Sequence, residues 1–72
     1  MLGLMLRDPA ARLRVLMAER DFTVKELSYS SGVSRATISA LRNGHVKRPN
    51  RETAELLADA LGVRLNSIWP KL

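Results

Sequence analysis

The sequence has no cysteine and only one histidine, His45, which limits the chemistry available to the chain. Without cysteine there is neither a disulfide framework nor a thiolate metal site. A lone histidine does not form a metal centre, so we expect no metal and no cofactor. No nucleophile–base pair and no phosphate-binding glycine loop is visible. Glu52 and Glu55 have the spacing of paired carboxylates, but such pairs on helices are nearly always solvated surface, so we do not expect an enzyme.

The chain also has no long hydrophobic run. The opening MLGLML is apolar over only six residues, whereas a membrane-spanning helix needs about 20. A secretion signal needs a leading positive charge and a longer apolar core. We therefore expect a cytoplasmic protein with no membrane partner. A length of 72 residues predicts one small domain, 1–72, with a limited core.

Negative charge is scarce in the middle of the chain. The segment 25–51 has one acidic residue, Glu26, and six basic ones. The basic residues are Lys25, Arg35, Arg42, Lys47, Arg48 and Arg51. Six minus one equals the net charge of +5 of the whole chain, so the charges of the two ends sum to zero. A localised basic patch favours a polyanionic partner, although a merely soluble surface is the alternative.

Helix signals recur along the chain, and no segment alternates as a strand does. Asp8 followed by Pro9 predicts a first helix that ends near Arg20. Asn50 predicts the cap of a fourth helix, which Gly62 closes. The predicted apolar stripes of these two helices are Ala10, Leu13, Leu16 and Met17, and Ala54, Leu57, Ala58 and Leu61. An all-α fold of four to five short helices follows.

Two further helices, joined by a short link, lie between these. Thr23 and Glu26 predict a capping box at the start of the second helix, which Gly32 ends. Ser34 predicts the N-cap of the third helix, so the link is about three residues long. This length is typical of a helix-turn-helix unit, here over about 23–43. The segment NSIW near the C-terminus predicts a last short turn.

The third helix has a narrow apolar edge and an open face without acidic residues. Asn43-Gly44 predicts its end; a β-hairpin is the alternative, but the flanks lack strand patterns. At 100° per residue, Ile38, Leu41 and Thr37 share one side. The other side has Arg35, Ala36, Ser39, Arg42 and Asn43. Such side chains are able to form hydrogen bonds with base edges, so this face is a candidate for contacting DNA. The alternative interpretation is an ordinary solvated face.

From about Arg12 to Trp69 the sequence resembles the Cro/C1-type helix-turn-helix domains of phage repressors and related bacterial regulators. The matching segments are FTVKELSYSSGVSRATISALRNG, then KRP, then the ALGV that closes the fourth helix. The residues at the apolar, small and turn-glycine positions of the family are Leu27, Ser28, Gly32, Val33, Ile38 and Leu41. The resemblance implies a lambda-repressor-like fold. It also implies a sequence-specific regulator that binds double-stranded DNA, of the repressor or genetic-switch type found in phages and mobile elements.

The resemblance also implies a role for each part of the unit. The third helix enters the major groove, and the start of the second helix and the loop after the third bind phosphates. The implied base-reading residues are Arg35, Ala36, Ser39, Arg42 and Asn43. The implied phosphate-binding residues are Thr23, Lys25, Thr37, Lys47, Arg48 and Arg51. An arginine fork suits guanine, and an alanine suits the thymine methyl group.

Two departures from the family pattern affect these expectations. The second helix has Val24 where the family often has a phosphate-binding glutamine. Met17 and Arg42 replace an arginine in the first helix and a glutamate late in the third, which the family often pairs. Because both partners are absent together, no buried charge is left unpaired. We expect Met17 to pack in the core and Arg42 to be free to face DNA.

Both ends of the chain are apolar, which indicates an interface in addition to a core. The candidate interface residues are Leu2, Leu4, Leu65, Ile68, Trp69 and Leu72. Leu65 and Ile68 are the better core candidates, and Trp69 is either a core lid or an interface anchor. A homodimer on two half-sites is the expected assembly. The alternative is a modulator, such as an antirepressor or antitoxin, that binds another regulator.

Overall fold

The computed structural model describes residues 8–72, which form four α-helices and one 3₁₀ turn. The helices are α1 (Pro9–Glu19), α2 (Val24–Ser31), α3 (Arg35–Arg42) and α4 (Arg51–Leu61), and the turn is Leu65–Ser67. No strand is present in this range. The predicted all-α fold of four to five short helices is confirmed. No helix within residues 8–72 combines the length and the hydropathy that crossing a membrane requires.

Each α-helix begins after a side chain that accepts a hydrogen bond from the first turn, as predicted. These caps are Asp8, Thr23, Ser34 and Asn50. The capping box of α2 is complete: Thr23 N donates to Glu26 Oε1 (2.9 Å), and Glu26 N donates to Thr23 Oγ1 (3.1 Å). Gly32 and Gly62 follow α2 and α4 with φ of 80° and 74°. Glycine adopts this left-handed conformation readily, so both helices end where predicted.

The core lies where the helices converge. Its fully buried side chains are Leu13, Leu27, Ile38, Leu57, Leu61 and Ile68. α3 packs against α1 and α2, α2 also packs against α4, and the 3₁₀ turn packs against α4. Within residues 8–72, Arg35, Ala36 and Arg42 of α3 are exposed, so this face of the helix lies at the surface. The stripe predicted for α1 is nearly right: Leu16 is half-buried, and Ala11, which was not predicted, is buried.

The C-terminal segment completes the core and does not provide an exposed anchor. Ile68 is fully buried and Trp69 is only 3% exposed. The 3₁₀ turn brings them inward, with Trp69 N donating to the carbonyl of Leu65 (2.8 Å). The assignment of Ile68 and Trp69 to an interface is therefore corrected: both are core residues. Leu65 and Leu72 are half-buried against the same core.

Candidate nucleic-acid interface

The turn between α2 and α3 is held by two serine hydroxyls. Ser28 Oγ donates to the carbonyl of Val33 (2.6 Å), and Val33 N donates to Ser31 Oγ (3.1 Å). Gly32 supplies the left-handed residue, and the Val33 side chain is buried. Sequence reasoning assigned Ser28 only as a small residue and did not identify Ser31. Together these contacts set the direction in which α3 leaves α2.

α3 is fixed to the core by two side chains, and most of its other residues are exposed. Ile38 is fully buried and Leu41 is 2% exposed. Of the predicted base-reading set, Ser39 is half-buried. The exposed members are Arg35, Ala36, Arg42 and Asn43. The structure therefore places four of the five predicted residues at the surface, on a helix that has no acidic residue.

Thr37 differs from its predicted position on the packed edge of α3, because it is exposed. The Thr37 side chain is hydrogen-bonded to Ser34, the N-cap residue of α3. The Ser34 hydroxyl accepts from Thr37 N (3.2 Å) and donates to Thr37 Oγ1 (2.9 Å). Thr37 therefore accepts one hydrogen bond and retains its own O–H as a donor. A phosphate oxygen is a suitable acceptor for that donor.

Besides Thr37, the predicted phosphate-binding residues lie at three places, all exposed. Thr23 and Lys25 are at the start of α2, and Lys47 and Arg48 are in the loop after α3. Arg51, at the first position of α4, pairs with Glu55 across 3.4 Å, and both side chains are more than half exposed. A surface ion pair of this kind is weak, about 0–1 kcal/mol, so it does not prevent a phosphate contact.

Met17 and Arg42 take the positions expected of them. Met17 is 3% exposed within the core, so its predicted packing is confirmed. Arg42 is exposed, and within residues 8–72 no ion pair or hydrogen bond occupies its guanidinium group. Its backbone carbonyl instead accepts a hydrogen bond from Arg14 Nη1 (2.6 Å). The orientation of the Arg42 side chain toward DNA stays a prediction.

Two arginines from the first helical region bind the C-terminal ends of other helices. Arg14 donates to the carbonyl of Arg42 at the end of α3, and Arg20 Nε donates to the carbonyl of Leu61 at the end of α4 (2.5 Å). The C-terminal end of a helix has unpaired carbonyls and a partial negative charge, which favours a cation there. Sequence reasoning missed both contacts, because any residue presents the same backbone carbonyl.

Comparison with known proteins agrees with this geometry. The chain is 44% identical over 60 residues to the HTH-type transcriptional repressor RghR of Bacillus subtilis (strain 168). The aligned segment covers 83% of this chain but 44% of that protein, so the chain spans less than half of its relative. No solved structure gives a significant match. The model of the Cro/C1-type HTH DNA-binding domain matches residues 12–68, which include all of α2, α3 and α4. The chain therefore belongs to the Cro/C1-type helix-turn-helix family of DNA-binding regulators.

Proposed function

We propose that this chain is a sequence-specific transcriptional repressor that places α3 in the major groove of duplex DNA. The observation that carries the proposal is that α3 has one buried face and one exposed face. Ile38 and Leu41 fix the helix to the core, and the exposed face combines basic and small side chains with no acid. A rigid helix with such a face fits the width of the major groove and supplies donors to base edges.

Arg35, the first residue of α3, is the principal candidate for reading a base. Its guanidinium group matches the O6 and N7 acceptors of guanine, and a bidentate pair of this kind contributes about 1–3 kcal/mol of discrimination. Ala36, beside it, is small and exposed, which suits contact with a thymine methyl group. Arg42 and Asn43 extend the same exposed surface to the end of the helix.

The exposed basic residues around α3 are the proposed phosphate contacts. Lys25 lies at the start of α2, and Lys47 and Arg48 lie in the loop after α3. Phosphate contacts fix the register of the protein on the duplex and do not read sequence. If about four to six phosphates are neutralised per protomer, the log–log dependence of affinity on salt has a slope near −0.9 for each.

The proposal also includes that the chain represses transcription as a dimer. One helix-turn-helix unit makes few base contacts, and two-fold dimers on half-sites about one helical turn apart are the usual solution. The relative in Bacillus subtilis is named a repressor. The half-buried Leu65 and Leu72 are the remaining interface candidates, whereas Leu2 and Leu4 lie outside the described residues. A role in the genetic switch of a phage or mobile element is supported by the family resemblance alone.

The alternative of a modulator that binds another regulator depended on an exposed Trp69 and on the N-terminal leucines. Trp69 is buried, and the N-terminal leucines lie outside the described residues. The proposal therefore keeps DNA as the primary partner.

Backbone amide chemical shifts of the ¹⁵N-labelled chain, titrated with duplex DNA of mixed sequence, test this proposal even before an operator is identified. We expect the largest changes in three places: the start of α2, the whole of α3, and the loop 44–48. The exposed Leu56 and Asp59, in the second half of α4 and away from Arg51, are the internal control and should change least. Changes centred on α4, or no changes at all, would contradict the proposal.

A further inference from the structure

A cleft lies between the loop after α3 and the C-terminal residues 69–72, and the function proposed above does not account for it. Its volume is about 220 Å³. Lys47 and Arg48 line one part of it, and Lys71, which sequence reasoning did not assign to any site, lines another. Trp69, Leu72 and Pro9 provide its apolar lining. The cleft thus brings a cation from the C-terminal segment together with two cations of the proposed phosphate surface.

The cleft is electropositive. Among residues 8–72, its lining includes the three cations and no acidic side chain. All three are exposed, and no ion pair or hydrogen bond within residues 8–72 occupies their charged groups. The nearest acidic side chain in sequence is that of Asp8, which precedes the lining residue Pro9. The carboxylate of Asp8 accepts a hydrogen bond from Ala10 N (3.1 Å) as the cap of α1. Three unneutralised cations around one concavity favour an anionic ligand.

The C-terminal wall of the cleft is held in place before any ligand arrives. Trp69 is buried, and its carbonyl accepts a hydrogen bond from Leu72 N (3.1 Å). Asn66 Nδ2 donates to the carbonyl of Pro70 (3.4 Å), so Lys71 lies between two tethered residues.

The loop that leads to Lys47 and Arg48 in the opposite wall is tethered as well, since His45 N and Val46 N both donate to the carbonyl of Ala40 in the last turn of α3 (2.9 and 3.2 Å). A surface whose backbone is already ordered loses less conformational entropy when it binds a ligand.

We infer that this cleft binds one phosphodiester of the DNA backbone, beside the segment that α3 contacts, and that Lys71 is a phosphate-binding residue. The inference rests on the proposed function, because Lys47 and Arg48 make the cleft continuous with the DNA surface. The composition of the cleft fits this ligand: cations suit the phosphate oxygens, and the apolar lining suits the adjoining deoxyribose. Contacts to phosphate and sugar are the most numerous kind in protein–DNA interfaces.

The test compares Lys71→Gln with Arg64→Gln in the full chain. Both substitutions remove one exposed positive charge, but Arg64 is not part of the cleft. Affinity for a labelled duplex is measured between about 50 and 200 mM salt. Loss of one phosphate contact makes the log–log salt slope shallower by about 0.9. Between the two salt concentrations, the affinity of such a variant therefore falls by a factor about 3.5 times smaller than the affinity of the wild type does. We expect this change for Lys71→Gln, its restoration in Lys71→Arg, and the wild-type slope for Arg64→Gln.

The outcomes separate this inference from the function on which it rests. If the wild-type chain fails to bind duplex DNA, the proposed function fails. If the wild type binds but Lys71→Gln retains its slope, only the assignment of the cleft fails. An unchanged slope with weakened self-association would assign the cleft to a second copy of the chain. Saturable binding of inorganic phosphate that shifts the Lys71 amide, without any change in the DNA slope, would assign it to a small anion. Either result would overturn the inference.

Discussion

Arg14 Nη1 donates a hydrogen bond to the backbone carbonyl of Arg42 across 2.6 Å and so ties α1 to the C-terminal end of α3. The family often joins the same two helices by an arginine–glutamate side-chain pair, but the corresponding residues here are Met17 and Arg42. The link is thus made one turn earlier on α1 and uses a backbone acceptor. This arrangement leaves the Arg42 guanidinium group exposed while its backbone is held.

Replacing Arg14 should loosen the end of α3. A charge-assisted hydrogen bond to a helix C-terminus is lost in Arg14→Ala, and because the contact is exposed we expect a loss of about 1 kcal/mol. For a domain of this size that lowers Tm by about 4–8 °C in a thermal melt followed by circular dichroism. Arg14→Lys keeps the positive charge and should lose less. Equal melting temperatures for all three proteins would show that the contact does not stabilise the domain.

Arg42→Ala tests whether the exposed guanidinium group faces DNA. Its side chain contributes to no ion pair within residues 8–72, so the free energy of unfolding should change by less than about 0.5 kcal/mol. DNA affinity should fall. The salt slope should also decrease by about 0.9 if the contact is to a phosphate, whereas loss of discrimination at one base pair would indicate a base contact. Binding titrations at several salt concentrations decide this, and unchanged affinity and slope would refute the assignment of Arg42.

Trp69→Ala should impair folding more than it affects assembly. Truncation of a buried tryptophan costs about 3–5 kcal/mol, and the total stability of a 72-residue domain is about 4–11 kcal/mol. Urea denaturation should therefore show a largely unfolded or severely weakened variant. Tyr29→Ala is the matched control, because Tyr29 is 94% exposed and its truncation should change stability by about 0.5 kcal/mol or less. A stable Trp69→Ala protein that had only lost self-association would contradict the core role.

The capping box of α2 predicts a pH dependence of stability. Hydrogen bonds from Thr23, first from its backbone N–H and then from its side chain, lower the pKa of Glu26 below its ordinary value of 4.5. Because the folded-state pKa is depressed, the stabilisation is present above the unfolded-state pKa and is lost as pH falls through the folded-state pKa. Melting temperatures measured from neutral pH to below pH 4.5 should therefore decline more steeply for the wild type than for Glu26→Gln.

Glu26→Gln is the informative variant because glutamine retains the acceptor oxygen of the capping box but does not titrate. At neutral pH it should be less stable than the wild type, and the difference should shrink in acid. Parallel curves for the two proteins over the whole range would show that the charge of Glu26 does not contribute.

The helices and their ends were predictable because their signals are local. An N-cap, a capping box and a C-terminal glycine each act within one turn of chain, so Thr23, Ser34 and Gly62 mark their helices whatever the tertiary context. The inward faces followed from helical periodicity, and Ile38 and Leu41 are buried as expected. The surface of α3 was predicted for the same reason, except that Ser39 is half-buried and Thr37 is exposed.

Features that depend on packing between distant segments could not be read from the sequence. Arg14 and Arg20 bind backbone carbonyls that leave no sequence signature. Whether Trp69 closes the core or remains exposed depends on how the 3₁₀ turn folds back on α4, and a residue pattern does not specify that. Lys71 becomes part of a basic cleft only when residues 69–72 lie beside the loop after α3.

The most direct test of sequence-specific binding is selection of bound duplexes from random DNA by the purified chain at near-physiological salt. We predict enrichment of an inverted repeat, with a guanine in each half-site whose preference is lost in Arg35→Ala but kept in Arg64→Ala. Failure to enrich any sequence, with binding only at low salt, would mean that α3 supplies charge without reading bases. That result would contradict the claim that this chain is a sequence-specific regulator.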